Sequence, residues 1–459
     1  MIKRELSNYV DILSAYTELR LQENRDTLIV MLNGQVMRNQ RKAMSGVSAR
    51  VYKNGVWGFA SNRNMSDDDI KLAIHEAKKN AVFLDRHTNQ DNEPLQITTN
   101  SGRNDFSTAK PRKTQRELIE FLKEIDGYIE KKYPKLNSRS VILTCLDMEK
   151  SLVTSDPSFA YSVTPRSILI VVMTVEKNGE PFELMKTFGG LGHFEDQFSD
   201  PSQLYEKIDN IYNHLMKKSE GVYADAGLKD VILDADLAGI LAHEAIGHTT
   251  EADLALSGSV AGDYMNQKVA SPLVTLVDFA HTALGEPCRT PVYIDDEGVL
   301  AKDVAIIENG VLKSYMHNKQ SARHFGVEPT GNARAYSYSD EPLIRMRNTA
   351  ILPGTDRLED MIASIDDGYY LIKSSNGQAD STSEFMFGVT LGYEIKNGKL
   401  GRGIRDTTIS GIAFDVLKSI DMISNDMVWE AGGMCGKKQP IPVSMGGPAI
   451  KCKINIGGK

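Results

Sequence analysis

The segment HEAIGHTTEAD, residues 243–253, holds the residue types most able to do chemistry in this chain. In the pattern H-E-x-x-H, two imidazoles share one helix face and bind zinc, and the glutamate lies beside the metal-bound water. Here three residues, not two, separate Glu244 from His248. Because each residue of a regular α-helix turns by about 100°, the rings of His243 and His248 would lie roughly 140° apart.

A locally widened helix would bring the two rings together. A π-bulge adds one residue to a helical turn, and such bulges occur mostly at functional sites. We expect the helix to widen or break over residues 245–247, with Gly247 as the residue best able to let the backbone distort. The spacing then predicts that His243 and His248 reach the same metal ion.

Two histidines do not complete a catalytic zinc site, which commonly has three protein ligands and one position open to water. Cys435 is the candidate third ligand, because the glycines around it in AGGMCGKKQPIPV allow a turn that presents the thiolate. Two imidazoles and a thiolate suit zinc better than magnesium or calcium. Glu244 would be the general base that takes a proton from water and passes it to the leaving amine.

Each part of this motif also has an ordinary interpretation. The spacing of His243, Glu244 and His248 arises by chance in unrelated proteins, and a lone cysteine such as Cys435 is more often a small buried hydrophobe. Glu251 and Asp253 are either solvated acids after a helix or carboxylates that orient an imidazole. The motif alone therefore leaves a structural role open.

The elements that must position these residues are predicted to be antiparallel strands and isolated helices. Helices with one apolar face are predicted after Ser66, after Thr114 and from Pro201 to residue 220. Hairpins interleaved with such helices indicate an α+β fold. The hairpins are marked by Asn-Gly, the dipeptide that best fits a two-residue type I′ turn, at Asn33-Gly34, Asn54-Gly55, Asn178-Gly179, Asn309-Gly310 and Asn397-Gly398.

We place a domain boundary after the third helix, near residues 221–227. Residues 1–220 are predicted to form an N-terminal α+β domain, and residues 221–459 a C-terminal β-rich domain that holds every candidate for chemistry. In that second domain a short strand, Val231–Leu233, precedes a helix with Asp236 as its expected N-cap. The helix leads directly to His243, so the metal site is predicted on an irregular helix.

Composition and charge limit the partners and the compartment. The chain has 53 Lys and Arg against 61 Asp and Glu, a net charge of -8, which gives no support to binding nucleic acid. Its N-terminus lacks an apolar segment of signal-peptide length, and no apolar run is long enough for a bilayer. We therefore expect a cytoplasmic protein without a membrane partner. Three of its cysteines have no disulfide or ligand spacing and are expected to be inert thiols: Cys145, Cys288 and Cys452.

HEAIGHTTEAD is similar to H-E-x-x-G-H-x-x-E-G-D, the signature of the TldD/PmbA family, also called modulators of DNA gyrase, on its metal-bearing TldD side. Ala252 departs from the family pattern, which has glycine there. Further segments resemble the family in the same order along the chain: IDDEG at 294–298, residues 308–338, RMRNTAILPG from Arg345, NGQAD at 376–380 and GGMCGK at 432–437.

The resemblance implies a cytosolic zinc peptidase with a two-domain α+β fold, in which two protomers enclose the active site. It implies one Zn²⁺ per protomer held by His243, His248 and Cys435, with Glu244 as the catalytic carboxylate. Peptides or unfolded segments are the implied substrates, held in extended form. The implied partner is a second copy of the chain or a PmbA-like (TldE) paralogue, and the N-terminal domain would enclose substrate and make dimer contacts.

Two alternatives to an independently active peptidase remain. One is a regulatory binding protein in which zinc only closes a structural site, and the other is a subunit active only with its partner. Other residues in the family-like segments have both a functional and a structural interpretation. Arg345 and Arg347 would bind a substrate carboxylate or form ion pairs, His317 and His324 would stabilise an oxyanion, and Asp295, Asp296 and Glu297 would form a plain acidic turn.

Overall fold

The computed structural model describes residues 2, 5–13, 15–88, 94–430 and 432–457. It has the predicted α+β architecture, in which mostly antiparallel sheets pack with interleaved helices. Ser66 and Thr114 cap the first two helices through their side chains, as predicted. The helices are α1 Asp67–Asp85, α2 Gln115–Lys132, α3 Phe194–Gln197, α4 Tyr205–Ser219, α5 Ala235–Ile240, α6 Ala252–Leu256, α7 Lys319–Phe325, α8 Leu358–Ala363 and α9 Ala413–Lys418.

Residues 17–191 build one large sheet. Its strands follow the order β3-β2-β1-β5-β6, and β4 and β7 both pair with the outer edge of β6. Every pairing is antiparallel except that of β4 with β6. The strands are β1 Thr17–Leu32, β2 Gln35–Lys53, β3 Val56–Asn62, β4 Ser101–Asp105, β5 Ser138–Thr154, β6 Phe159–Lys177 and β7 Glu180–Leu191.

The rest of the chain builds two further sheets and two short ribbons. Many of these strands contain only two to four residues. They are β8 Gly227–Leu233, β9 Leu276–Phe279, β10 Thr282–Ala283, β11 Glu286–Pro287, β12 Val304–Glu308, β13 Val311–Leu312, β14 Ala333–Arg334, β15 Leu343–Ile344, β16 Asn348–Ile351, β17 Asp367–Ala379, β18 Glu384–Lys396, β19 Lys399–Gly403, β20 Thr407–Ile412, β21 Met422–Ile423, β22 Val428–Trp429, β23 Gly433–Cys435, β24 Ile441–Gly447 and β25 Ile450–Ile456.

The Asn-Gly dipeptides mark hairpins, as predicted. They join β1 to β2, β2 to β3, β6 to β7, β12 to β13 and β18 to β19. Both residues of every pair have positive φ, which a type I′ turn requires and which asparagine and glycine tolerate best. Local turn chemistry therefore sets much of the antiparallel pairing.

The metal-site helix lies between the two C-terminal sheets. One sheet has the order β13-β12-β9-β16-β24-β22, and β23 pairs with β24. In the other, the pairings β8–β17, β17–β18, β18–β20, β20–β25 and β25–β8 close a ring of five strands. Helix α5 packs against β24 on one side and β17 on the other. One apolar core joins the helix to both sheets, so the position of the helix is set by burial from two directions.

The start of this helix differs from the prediction. Asp234, not Asp236, is the N-cap: it directly follows β8, has extended backbone, and its carboxylate accepts a hydrogen bond of 2.9 Å from the Ala235 amide. Asp236 already lies within the helix, and its buried carboxylate bonds to Lys373 and to the Ser374 amide. It therefore ties the helix to β17 instead of capping it.

The acidic segment at residues 294–298 is not the plain turn that its sequence suggested. Asp296 accepts a 2.6 Å hydrogen bond from Lys150 on β5, and Glu297 pairs with Arg50 on β2. All four side chains are largely buried. The segment thus joins the C-terminal part of the chain to one face of the first sheet through paired charges, which offset the cost of burying each charge alone.

Membrane-spanning helices are absent from the described residues, because none of their helices is both long and apolar enough to cross a bilayer.

Candidate metal centre

The helix widens where the spacing of the two histidines requires it. Directly after α5, residues Leu241–Gly247 form a π-helix, a longer widened segment than the predicted one over 245–247. The His248 amide donates to the His243 carbonyl, five residues earlier. Because one turn of this segment holds about one residue more than an α-helical turn, both imidazoles lie on the same side, with ring centroids 5.3 Å apart.

Gly247 has a different role from the one predicted. Its φ of -56° and ψ of -50° are ordinary helical values, so no left-handed conformation requires glycine there. A Cβ atom at this position would instead lie 2.0 Å from the Met346 Sδ atom. Glycine is needed because Met346 packs directly against the helix backbone.

Cys435 joins the two histidines although it is separated from His248 by 187 positions. It ends β23, and its Sγ atom lies 3.3 Å from the His248 Nε2 atom. One ligand atom from each of His243, His248 and Cys435 lies within 4.8 Å of the other two. The structure therefore brings together the three residues predicted to hold a metal.

The chemistry of this cluster fits a bound zinc ion. His243 is fully buried, and neither of its ring nitrogens has a hydrogen-bond partner in the described part of the chain. An unsatisfied buried polar atom costs on the order of 1–3 kcal/mol, which a metal–nitrogen bond would offset. Two nitrogens and one sulfur form a ligand set that zinc prefers, and three ligands leave one position open.

The carboxylate of Glu244 faces the same cluster. Its two oxygens lie 4.0 Å from His243 Nε2 and 3.7 Å from His248 Nε2. The side chain is 26% exposed, whereas that of His243 has no exposure. Glu244 therefore lies at the solvent side of the cluster, within reach of a water molecule there.

The acid–base states of the four cysteines separate Cys435 from the others. Burial alone would raise the pKa of Cys435, but its interactions with His243 and His248 outweigh burial and lower the pKa to about 3. Burial raises the pKa of Cys145 to about 11 and that of Cys288 to about 12, and it also raises the pKa of Cys452. A metal ion binds the thiolate form of cysteine, and of these four residues Cys435 is the one whose surroundings favour that form.

Glu251 orients His248 by contacting the ring nitrogen that faces away from the cluster. Its fully buried carboxylate lies 2.9 Å from His248 Nδ1, which leaves Nε2 directed at the cluster. Burial would lower the pKa of His248, but its interactions with Cys435 and Glu251 raise it to about 10. Of the two interpretations left open for Glu251, the structure has the one in which the carboxylate contacts the imidazole.

Lys437 connects the histidine helix to the Cys435 strand. Lys437 lies two residues beyond Cys435 in the sequence. Its ammonium group lies 3.2 Å from the Glu251 carboxylate and 2.7 Å from that of Asp253. The Lys437 side chain is 10% exposed and that of Glu251 is fully buried, so this pair is poorly screened, whereas Asp253 is exposed to solvent. The lysine balances the charge of buried Glu251 and holds the cysteine-bearing segment against the helix.

Arg345 binds the backbone of the segment that carries Cys435. Its fully buried guanidinium donates to the backbone carbonyls of Cys435 at 2.8 Å, Lys437 at 3.0 Å and Gln439 at 2.8 Å. Arg347 instead pairs with buried Asp278 at 2.9 Å. Both arginines are therefore committed to protein groups, which favours the structural interpretation over binding of a substrate carboxylate.

The structure does not add either of the other candidate histidines to the cluster. His317 is buried, its Nδ1 atom bonds to the Ser321 hydroxyl, and burial lowers its pKa to about 4. His324 is exposed and lies against the Phe325 ring. Sequence reasoning missed the roles of Lys437 and Arg345, because their partners lie between 90 and 186 positions away and leave no local signal.

Replacing Lys437 by methionine is expected to weaken zinc binding by about 10–100-fold, the usual effect of losing a partner that orients a ligand. Methionine keeps the apolar stem but leaves buried Glu251 without its ammonium partner. Competition with a chelator of known zinc affinity measures the change. Lys438→Met removes the same charge from an exposed neighbour and serves as the control. Equal affinities for the two variants would exclude the positioning role.

Two protein-family models match this chain. A family model described as the PmbA/TldA metallopeptidase C-terminal domain matches residues 226–458, and one described as PmbA/TldA metallopeptidase domain 1 matches residues 17–81. Among solved structures, TldE from Thermococcus kodakarensis has a TM-score of 0.77 at 16% identity and covers 99% of both chains. A Thermotoga maritima protein has the same TM-score at 19% identity, over 99% of this chain and 97% of that one.

Relatives with curated names match over nearly the full length. The zinc metalloprotease TldD homolog of Saccharolobus solfataricus is 31% identical over 439 residues, covering 94% of this chain and 95% of its own. The metalloprotease TldD homolog of Haemophilus influenzae is 30% identical over 470 residues, covering 99% and 96%. These matches and the metal-ligand cluster lead to one conclusion: the chain belongs to the TldD/PmbA family of metallopeptidases.

Proposed function

We propose that this protein is a zinc-dependent peptidase with one Zn²⁺ per protomer, held by His243, His248 and Cys435. The observation that carries the proposal is the convergence of these three ligand atoms within 4.8 Å. One of them belongs to the buried imidazole of His243, whose nitrogens have no hydrogen-bond partner among the described residues. The name of the Saccharolobus solfataricus relative, a zinc metalloprotease, supports the choice of metal.

In this proposal Glu244 is the general base. When bound, zinc supplies Lewis acidity, which makes a neighbouring water more acidic and polarises a substrate carbonyl. Glu244 accepts the proton of the attacking water on one of its two oxygens and donates it to the nitrogen of the departing amine. Glu251 keeps His248 in place during these steps, because its carboxylate binds the far side of the imidazole.

The position of Glu244 favours an enzyme over a regulatory binding protein with a structural zinc. Structural zinc sites have four protein ligands and closed coordination. Here the cluster contains three ligand residues, and the partly exposed Glu244 occupies the remaining side at about 4 Å from both histidines. A general base has no use in a closed site.

We propose that the substrates are peptides or unfolded segments, bound in extended form. In the same proposal residues 1–220 are an N-terminal domain that encloses the substrate and makes dimer contacts, and residues 221–459 are the metallopeptidase domain.

The partner is a second copy or a TldE/PmbA-like paralogue, for which the fold of TldE supplies the support. An active species with the mass of one chain in analytical ultracentrifugation would contradict the need for a partner.

Removal of zinc is expected to abolish peptide hydrolysis, and zinc is expected to restore it. The protein is dialysed against a chelator until mass spectrometry finds no zinc, and cleavage of an unstructured peptide is followed by chromatography. Magnesium and calcium should not restore the rate, because neither favours a nitrogen and sulfur ligand set. A sample dialysed without chelator is the control, and undiminished cleavage by the zinc-free protein would exclude the proposal.

A further inference from the structure

A cavity lies between the first sheet and the segment 289–296, and none of the three metal ligands lines it. Strands β5 and β6 form one wall, residues 289–296 form the facing wall, and Arg334 and Pro442 close one end. Its volume is about 90 Å³. Since one water needs about 10–15 Å³ on this scale, the cavity has room for a small organic molecule and not for a polypeptide.

The polar lining of the cavity carries an excess of positive charge. Four basic side chains reach it: Lys150, Arg166, Arg289 and Arg334. Arg334 is buried, and its hydrogen bonds go to the carbonyls of Met346 and Pro442, which carry no charge. Burial and the neighbouring Arg345 guanidinium lower the pKa of Arg334 to about 9, and the carboxylates of Asp278 and Asp296 offset only part of this effect.

The two acidic residues of the lining are already engaged. Asp296 accepts hydrogen bonds from the Lys150 ammonium group and from the Ala335 amide. Asp295 accepts from the amides of Glu297, Val299 and Ala333, and burial raises its pKa to about 8. Neither carboxyl group bonds to Arg334. An anion from outside would therefore meet the Arg334 guanidinium, which forms no ion pair with either acid of the lining.

Most of the remaining lining is apolar, although the polar side chains of Asn104, Ser162, Thr164 and Thr290 also reach the cavity. Phe106 and Tyr293 lie with their ring centroids 6.3 Å apart, and aliphatic side chains extend this surface. A purely inorganic anion would leave the apolar surface without a partner, whereas a molecule with an apolar end would cover it. The aliphatic side chains of the lining are those of Leu146, Met148, Leu152, Ala160, Val292 and Ile294.

We propose that this cavity binds a small organic carboxylate. Its charged end pairs with Arg334 and the neighbouring basic groups, and its apolar end packs against Phe106, Tyr293 and the aliphatic wall. Arg166 and Arg334 also donate to the carbonyls of Gly433 and Pro442, one on each strand of the hairpin that carries Cys435. The ligand therefore contacts the groups that support the metal hairpin. The proposal concerns a second site and does not depend on the peptidase function.

Isothermal titration of the zinc-loaded protein with benzoate tests the proposal. We expect saturable binding of one benzoate per chain and no binding of benzyl alcohol, which has the same ring and no charge. Arg289→Gln, at an exposed position of the rim, is expected to weaken binding several-fold, and Arg334→Met at least tenfold, the scale of one charge-assisted contact. Arg116→Gln removes the same charge from a distant exposed site and should leave binding unchanged.

Four results would overturn the proposal: no saturable binding of benzoate, equal binding of benzyl alcohol, binding of inorganic phosphate without benzoate, or undiminished binding by Arg334→Met. If Arg334→Met fails to fold, Ala160→Leu replaces it, because this residue lines the cavity and its enlargement fills space without removing charge. Unchanged affinity in Ala160→Leu would equally overturn it. Peptide hydrolysis is measured separately, so failure of the cavity and failure of the peptidase proposal give different results.

Discussion

Replacing Glu244 by glutamine is expected to lower the rate of peptide hydrolysis by about 10²–10⁴-fold while zinc stays bound, the range that general acid–base groups contribute. Glutamine has the same shape as glutamate but cannot accept the proton of the attacking water. The zinc content should not fall, because Glu244 is not one of the three clustered ligand residues. Initial rates and zinc per chain are measured on the same preparations.

Glu308→Gln provides the matched control for this variant, since it makes the same chemical change at an exposed residue of β12. Its rate should equal that of the native protein. Two results would contradict the role of Glu244: a rate within a few-fold of native, or a loss of zinc in step with the loss of activity. The second result would make Glu244 a metal ligand instead of a base.

Replacing Cys435 by alanine is expected to weaken zinc binding more than a hundredfold. Zinc binds to protein sites with an apparent free energy of about 10–16 kcal/mol, so loss of one of three ligands removes on the order of 3–5 kcal/mol. Each 1.4 kcal/mol corresponds to a factor of ten in affinity. The remaining pair, His243 and His248, would hold zinc weakly. Competition with a chelator measures both affinities.

The matched control for this variant is Cys452→Ala. Cys452 is also buried, but it lies in the closed ring of strands and outside the metal cluster. If Cys452→Ala and Cys435→Ala lost zinc to the same extent, the loss would reflect general destabilisation of the core, and Cys435 would not be a ligand.

Much of the fold follows from local sequence. Asn-Gly sets each hairpin because its φ values are a property of the dipeptide, and Ser66 and Thr114 cap helices through side chains that reach only three residues ahead. The irregular helix was predictable for a similar reason: the spacing of His243 and His248 is incompatible with a regular α-helix that turns both rings to one metal.

What the sequence could not predict depends on packing between distant segments. Gly247 was expected to allow distortion, but the need for glycine comes from Met346, about 100 positions later. Asp236 was expected to cap its helix, but Lys373 engages its carboxylate. The sequence of residues 295–297 indicated a plain acidic turn, but the first sheet supplies Lys150 as the partner of Asp296 and Arg50 as the partner of Glu297.

One part of the metal centre follows from local sequence, and the other depends on packing between distant segments. The pair His243 and Glu244 is readable from a short motif, whereas the contribution of Cys435 depends on a strand that the fold places beside the helix. Lys437 secures that placement through two ion pairs, and Arg345 through hydrogen bonds to three backbone carbonyls. Long-range contacts of this kind have no periodicity or spacing of their own, so only the structure reveals them.

The most direct test of the zinc site is a zinc count per chain, by mass spectrometry, in native protein and in Cys435→Ala purified and dialysed identically. We predict about one zinc per native chain and a small fraction of that in the variant. Unchanged zinc in Cys435→Ala would contradict Cys435 as a ligand. No zinc in either protein, even after zinc is supplied, would contradict the metal centre itself.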